Sequence, residues 1–276
     1  MGAFSALQSI LGALGIHDSA QSFLMLFFLI FTRIVSTLTL TPFLGGSSLP
    51  GQIKVGLSAM VALLLYPGLS HIAGPLPESF LFYCALVGKE FVVGMTLGFI
   101  AQMVFFGVQT AGIIIDTQRG LNQITYLAPE LPGNESALGN LQIQAAIVLF
   151  LALDGHLFFL RALAASFTTI PPVAMPHLGS GWEALAEEFT RISASALRIG
   201  AQLCAPVVLT IFLVDISFGS VQKVASSLKI GNDTNTAKSW IGLAVFCLSA
   251  PFFFDRLQQY LASMIPMIYH FVQNLS

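Results

Sequence analysis

The side chains that could carry chemistry in this sequence lie within long apolar stretches. Asp154, His156 and Arg161 stand in LALDGHLFFLRAL, between two apolar runs. Ionisable residues in such a place are typical of proton-responsive or partner-contacting polar clusters in membranes. The simpler interpretation is a helix–helix corner, in which Gly155 permits the bend and Asp154 satisfies exposed backbone N–H groups. We favour the corner, and expect its polar residues to be Asp154, Gly155 and His156.

The sequence lacks the common signatures of an enzyme. It contains no GxxxxGK[ST] phosphate loop, no HExxH zinc motif and no GxSxG nucleophile elbow. The histidines have no metal-ligand spacing, and the three cysteines form no CxxC pair. We therefore expect no enzyme activity, no catalytic residue, no cofactor and no metal site. An intramembrane enzyme that uses Asp154 and His156 is an alternative, but it needs a nucleophile or a metal at matched depth.

The stretch 116–136, DTQRGLNQITYLAPELPGNES, is the strongest candidate for a functional segment. It follows the longest apolar run and alternates large apolar with small polar residues, and its prolines oppose a helix. An exposed connection rarely needs so many large apolar groups, whereas a loop packed inside a cavity can close a pore by excluding water. We expect anchors at its base, with an ion pair between the first and the last of them: Asp116, Gln118 and Arg119. The expected plug or gate residues, with glycine hinges at both ends, are Gly120, Leu121, Asn122, Gln123, Ile124, Thr125, Tyr126, Leu127, Pro129 and Gly133.

Composition indicates that these residues belong to a membrane protein. Of 276 residues, 55% are hydrophobic and 9% are charged, and the mean hydropathy is +0.83. A soluble domain carries about 25% charged residues, although a soluble subunit covered by partner proteins is an alternative. The net charge of −2 gives no reason to expect nucleic acid as a partner. No Lys or Arg precedes Arg33, so we expect the first apolar segment to remain in the mature protein.

Charge-free runs predict the elements of an all-α, multi-helix membrane protein. Backbone polar groups in lipid must be satisfied within the segment, so we expect these runs to be helices. Charges, glycines and prolines interrupt the runs, which indicates that many of the helices pack in an assembly. The runs are 19–32, 34–53, 55–77, 91–115, 136–153, 162–182, 199–214, 239–254 and 257–276.

Two further polar stretches, 171–191 and 215–238, predict loops on opposite sides of the membrane. The second is the more basic, so the positive-inside rule places it in the cytoplasm. We expect its lysines to contact a cytoplasmic partner: Lys223, Lys229 and Lys238. Residues 199–276 have the pattern of a helical hairpin with this basic loop at its tip. The predicted division is therefore 1–198 and 199–276.

Three stretches, in the correct order, resemble one known family. They are TRIVSTLTLTPFLGGSSLPGQIKVGLSAMVALLLYP at 32–67, GKEFVVGMTLGF with QTAGIIIDTQRG within 88–120, and ALGNLQIQAAIVLFLALDGHLFFLRALAASFTTIPP at 137–172. They resemble the type III export-gate family, called FliR in flagella and SctT in injectisomes. The motif IDTQRG is more similar to the injectisome branch than to the flagellar branch, and we therefore favour the injectisome branch. The sequence departs from the family pattern after LVDISFG, in the segment SVQKVASSLKIGNDTNTAKSW.

The resemblance implies an export-gate (pore) subunit of a bacterial type III secretion apparatus. Such a protein lies in the bacterial inner membrane, as a multi-pass protein or embedded in the basal body. Residues 1–198 would be an SctR-like helical part, whose plug maps onto 120–136, and 199–276 an SctS-like hairpin. The implied partners are SctR-like and SctS-like gate subunits, an SctU-like switch protein, the cytoplasmic export ring and unfolded secreted proteins in transit. The alternatives are a flagellar export-gate component and, less favoured, a multi-pass small-solute transporter.

Overall fold

A computed structural model describes residues 20–44, 49–71, 77, 79–120, 136–175, 181–224 and 231–274. Within these residues the chain forms helices and turns and no strand, which confirms the predicted all-α class. The helices are α1 (Ala20–Leu40), α2 (Gly51–Ser70), α3 (Phe80–Gln118), α4 (Ala137–Ala152), α5 (Gly155–Thr169), α6 (Gly181–Val224) and α7 (Gly231–Asn274).

Helix α1 shows how polar residues are accommodated in an apolar helix. The Thr32 hydroxyl donates to the Phe28 carbonyl at 2.7 Å, and the Ser36 hydroxyl donates to the Thr32 carbonyl at 2.8 Å. Such bonds to the preceding turn satisfy each hydroxyl within its own helix. These side chains are therefore buried without any need for water.

Helices α3, α6 and α7 are much longer than the charge-free runs predicted. Helix α3 has 39 residues, while α6 and α7 have 44 residues each. At about 1.5 Å per residue, each is longer than the roughly 30 Å hydrocarbon core of a bilayer. Helix α7 joins the predicted runs 239–254 and 257–276, because its charges at Asp255 and Arg256 are exposed and do not interrupt the helix.

The predicted loops at 171–191 and 215–238 are wrong in part. Helix α6 already begins at Gly181 and continues to Val224, and α7 begins at Gly231. The polar residues Ser217 and Ser220 are accommodated within α6. Each hydroxyl donates to a carbonyl one turn earlier, both at 2.8 Å. Residues 225–230 lie outside the described part of the chain.

Within the described part of the chain, five helical segments are long and apolar enough to cross a membrane. Helices α4 and α5, separated by a short break, pass the same test together and raise the number to as many as six. The segments are Ala20–Leu40, Gly51–Ser70, Phe80–Gln118, Ala186–Val224 and Thr234–Phe271.

The chain divides into two compact units. Unit 1 comprises Met1–Gln102, His156–Glu188 and Met264–Ser276, and unit 2 comprises Met103–Gly155 and Phe189–Ser263. The predicted division of the chain at residue 199 stays a prediction.

Close helix approach at glycines and contacts between aromatic rings build the core of each unit. In unit 1, a Cβ on Gly98 of α3 would lie 2.6 Å from the Thr37 carbonyl oxygen of α1, so only glycine permits this crossing. In unit 2, the Phe105 ring of α3 meets the Phe150 ring of α4 edge to face, with centroids 5.6 Å apart. A Cβ on Gly107 of α3 would lie 2.6 Å from the Ala196 carbonyl oxygen of α6.

Candidate functional site

A buried carboxylate, Asp116, connects the last turn of α3 to the first turn of α4. Its Oδ1 lies 3.1 Å from Arg119 Nη1, and its Oδ2 accepts from the Ser136 hydroxyl at 2.7 Å and the Leu138 amide at 2.9 Å. Ser136 also caps α4, because its hydroxyl oxygen accepts from the Gly139 amide at 2.9 Å. One side chain thus holds residues on both sides of the 121–135 segment.

Arg119 extends the same cluster to α7, within unit 2. Its Nε donates to the Ser239 carbonyl at 3.1 Å, in addition to its ion pair with Asp116. Its aliphatic part lies against Gly242, where a Cβ would come within 2.7 Å of Arg119 Cγ. Because both charged side chains are buried, removing either one leaves the other uncompensated, which typically costs about 3–5 kcal/mol. The end of α3 is therefore fixed to α4 and to α7.

Gly120 ends the described chain on this side. Its φ of 80° is a left-handed conformation, which favours glycine and is common just after a helix. Its amide donates to the Thr117 carbonyl at 3.1 Å, and the predicted anchor Gln118 is exposed in the preceding turn. The other predicted plug residues lie outside the described part of the chain: Leu121, Asn122, Gln123, Ile124, Thr125, Tyr126, Leu127, Pro129 and Gly133.

The predicted polar residues Asp154, Gly155 and His156 lie where the chain passes from α4 to α5. Asp154 has a φ of 56°, and its amide donates to the Leu151 carbonyl at 3.1 Å. A Cβ on Gly155 would lie 2.3 Å from the Phe150 ring, so a larger residue there would require that ring to move. His156 Nδ1 is buried and makes no hydrogen bond to any described residue.

The lysines of the predicted basic tip have different surroundings. Lys223 is exposed in the last turn of α6, whereas Lys238 forms an ion pair with Asp215, between α7 and α6. The Tyr260 hydroxyl donates to the Gln202 side chain and connects the same two helices. Lys229 lies outside the described residues. Of the two described lysines of the tip, Lys223 is the exposed one.

Two parts of the polar network were not predicted from the sequence. The first is the contact of Arg119 with α7, and the second is a buried ion cluster in unit 1. Ser239 and Gly242 carry no local signal, because their contacts with Arg119 join residues about 120 positions apart in the chain. Ser136 does carry a signal, since a serine that immediately precedes an apolar run is typical of a helix N-cap. The ion cluster in unit 1 lies at Arg33, Lys89 and Glu90. The sequence shows these residues only as interruptions of apolar runs.

Comparison with known proteins matches nearly the whole chain to one family. Residues 24–264 match the profile of a family described as "Bacterial export proteins, family 1". The chain is 29% identical over 209 residues to "Flagellar biosynthetic protein FliR" of Escherichia coli (strain K12), covering 76% of this chain and 78% of the relative. It is 30% identical over 207 residues to the protein of the same name from Pectobacterium carotovorum subsp. carotovorum, covering 74% and 76%.

A relative with a different name is about equally similar. The chain is 28% identical over 239 residues to "Yop proteins translocation protein T" of Yersinia pestis, covering 84% of this chain and 90% of the relative. The identity to this relative differs from those to the two flagellar relatives by only one or two percentage points. The comparisons therefore do not choose between the two branches named in the sequence analysis.

Proposed function

This chain belongs to the bacterial export proteins, family 1, and from that membership we propose that it is an export-gate subunit of a bacterial type III protein secretion apparatus. The names of the relatives, in flagellar biosynthesis and in Yop protein translocation, support an export role. The apolar helices long enough to span a bilayer support a multi-pass position in the inner membrane. The subunit helps to form and to plug a conduit for unfolded proteins, and it does so without catalysis.

The plug assignment rests on the hydrogen bonds that the Asp116 carboxylate accepts. The carboxylate receives hydrogen bonds from Arg119, before the 121–135 segment, and from Ser136, after it. A segment whose two ends share one buried carboxylate can leave a conduit and return while α3 and α4 stay in place. Segment 120–136 is the plug in this proposal, with Gly120 and Gly133 as its hinges. Its large apolar residues close the conduit by excluding water.

The partners in this proposal are SctR-like and SctS-like gate subunits, an SctU-like switch protein and the cytoplasmic export ring. Residues 1–198 form the SctR-like part, and 199–276 form the SctS-like hairpin. The exposed position of Lys223 at the end of α6 supports a partner contact at the hairpin tip. Lys238 contributes less, because Asp215 already pairs with it.

The flagellar export gate is a second candidate function. Relatives named for flagellar biosynthesis match this chain about as well as the one named for Yop translocation, and each covers more than two thirds of it. Both candidates place the same plug in the same kind of conduit. They differ in the proteins that are exported.

The test measures secretion and ion leakage in cells that express the complete apparatus. A strain without this chain should lose secretion of its type III substrates, and the wild-type gene should restore it. A deletion of 121–135 should raise ion leakage, and so should replacement of 121–135 by a Gly/Ser linker of equal length, because the linker has no apolar groups. A conservative control exchanges Ile124 for Leu and should leave leakage at the wild-type level.

The two readouts test separate parts of the proposal. Normal secretion in the strain without this chain would refute the export-gate function itself. Normal leakage in both 121–135 variants, with the subunit present in the complex at wild-type amounts, would refute the plug assignment alone.

A further inference from the structure

A cluster of two cations and one carboxylate is buried in unit 1. The Arg33 side chain of α1 and the Glu90 side chain of α3 are completely buried, and the Lys89 side chain is 6% exposed. Arg33 Nε and Nη2 donate to the two Glu90 oxygens at 2.5 and 2.7 Å, in the bidentate geometry of the strongest ion pairs. Lys89 Nζ lies 2.7 Å from Glu90 Oε1. One carboxylate thus holds both cations.

Both cations also donate to backbone carbonyls at the end of α5. Arg33 Nη1 donates to the Ser166 carbonyl at 2.9 Å, and its Nη2 donates to the Ile170 carbonyl at 2.8 Å. Lys89 Nζ donates at 2.8 to 3.0 Å to three carbonyls in the turn after the helix, those of Pro171, Pro172 and Ala174. The last carbonyls of a helix have no partner within it, and the prolines that follow cannot continue the helix. The Ser166 and Pro171 carbonyls also accept from the backbone amides of Ile170 and Ala174, at 2.9 and 3.3 Å. The carbonyls of Ile170, Pro172 and Ala174 accept from no backbone amide of the described residues, so the cations supply the donors that these three lack.

We propose that Arg33, Lys89 and Glu90 form a clamp for the C-terminal end of α5, which we call the α5 clamp. The two cations are positioning residues that cap the helix and fix the turn 170–175. Glu90 acts through them, by holding both cations at the carbonyls. The inference does not depend on the export function or on the 121–135 segment.

The charges of the cluster support a cap over a simple ion pair. Two cations against one carboxylate leave one positive charge, and the C-terminal end of a helix carries a partial negative charge that compensates it. The Arg33 guanidinium also lies 4.1 Å from the centroid of the Phe167 ring, a further favourable contact for a desolvated cation. Phe167 itself belongs to α5. The charge of the helix end and the Phe167 ring therefore both favour cations at the end of α5.

Close approach of α1 and α3 brings the clamp together. Gly94 lies one turn after Glu90, and a Cβ there would collide with the Arg33 carbonyl oxygen. The Thr37 hydroxyl donates to the Gly94 carbonyl at 3.0 Å across the same crossing. A charged side chain within a bilayer is costly unless it is paired and hydrogen-bonded. Within the apolar helix α1, Arg33 is compensated only when α3 and α5 are packed against it.

Two single variants and one double variant test the clamp, read out by a spin label in the turn. The label is attached at Ala174→Cys in the complete complex, after the native cysteines have been exchanged for serine. A label at Met60→Cys, exposed on α2 of the same unit, is the control position. Lys89→Met should shift the spectrum at position 174 to fast motion, and Lys89→Arg should not, because arginine restores the donors. Neither variant should change the spectrum at position 60.

The charge-reversed pair separates a cap from an ion pair. Arg33→Glu combined with Glu90→Arg restores an ion pair but turns a carboxylate towards the α5 carbonyls, so the label at 174 should remain mobile. An immobile label at 174 in this double variant, or in Lys89→Met, would overturn the clamp. If the double variant fails to assemble, the comparison of Lys89→Met with Lys89→Arg still decides the question.

Discussion

At the residue scale, both carboxylates that are buried among the described residues hold several groups at once. Asp116 accepts from a guanidinium, a hydroxyl and a backbone amide, and Glu90 holds an arginine and a lysine. Charge in an apolar helix is expensive unless it is paired and hydrogen-bonded. Glu90 and Asp116 therefore lie where separate segments of the chain must meet.

Asp116→Asn should destabilise the purified complex, because it keeps the size of the side chain but leaves the buried Arg119 without a counter-charge. The expected loss is about 3–5 kcal/mol in the free energy of unfolding, measured as a lower midpoint of thermal denaturation in mild detergent. Asp255→Asn is the matched control, since Asp255 is exposed; such surface changes are usually within about 0.5 kcal/mol. Equal midpoints for the two variants would show that the Asp116–Arg119 pair does not hold the end of α3.

At the element scale, close helix packing depends on glycines at the crossings. A Cβ on Gly112 of α3 would lie 2.5 Å from the Cα of Gly139 on α4, so the two backbones touch. Small residues are typical of helix crossings in membranes, where packing replaces the hydrophobic effect. This crossing lies one turn before Asp116, and it therefore determines how the two ends of the 121–135 segment approach each other.

Gly112→Ala should loosen the α3–α4 crossing, because the added methyl group meets backbone atoms that cannot rotate away. We expect a lower denaturation midpoint and, if 120–136 is the plug as proposed, higher ion leakage in cells. Gly219→Ala is the matched control: a Cβ on Gly219 of α6 meets nothing within 4 Å, and alanine in a helix is favoured over glycine by about 0.5–1 kcal/mol. A Gly112→Ala variant as stable as Gly219→Ala would contradict the tight crossing.

The sequence allowed the elements to be predicted better than their ends. Most apolar runs overlap a helix, because a backbone in lipid must be hydrogen-bonded within itself. The run 34–53 was wrong as a single helix, since α1 ends at Leu40 and α2 begins at Gly51. The predicted break between 239–254 and 257–276 was wrong, since Gln259 bonds to both Asp255 and Arg256 on an exposed face and the helix continues. Charge marks the end of an apolar run, but it does not mark the end of a helix.

The candidate site was predictable only where its signals are local. Asp116 and Arg119 are notable because they follow the longest apolar run and lie one turn apart. Ser239 is an ordinary serine in the sequence, and its contact with Arg119 arises only from the packing of α7 on α3. The pairing of Arg33 with Glu90, 57 residues apart, is likewise a product of the fold.

At the scale of the whole molecule, the described residues expose more large apolar side chains than a protein surrounded only by water would. Large apolar side chains stand exposed on several helices, including Leu64 at 69%, Val224 at 91% and Leu248 at 81%. Exposed apolar area of this kind marks contact with a membrane or with other chains. Helices longer than the bilayer core must in addition extend beyond the lipid, where other subunits can cover them.

The most direct test of an export-gate subunit is to identify what remains bound to the chain after extraction with a mild detergent. The tagged protein is purified from inner membranes of cells that express the whole apparatus, and the bound chains are identified by mass spectrometry. We predict that it comes with other hydrophobic export-gate subunits in a fixed ratio. A chain that purifies alone as a water-soluble monomer, or that by itself moves a small solute into liposomes, would contradict this account.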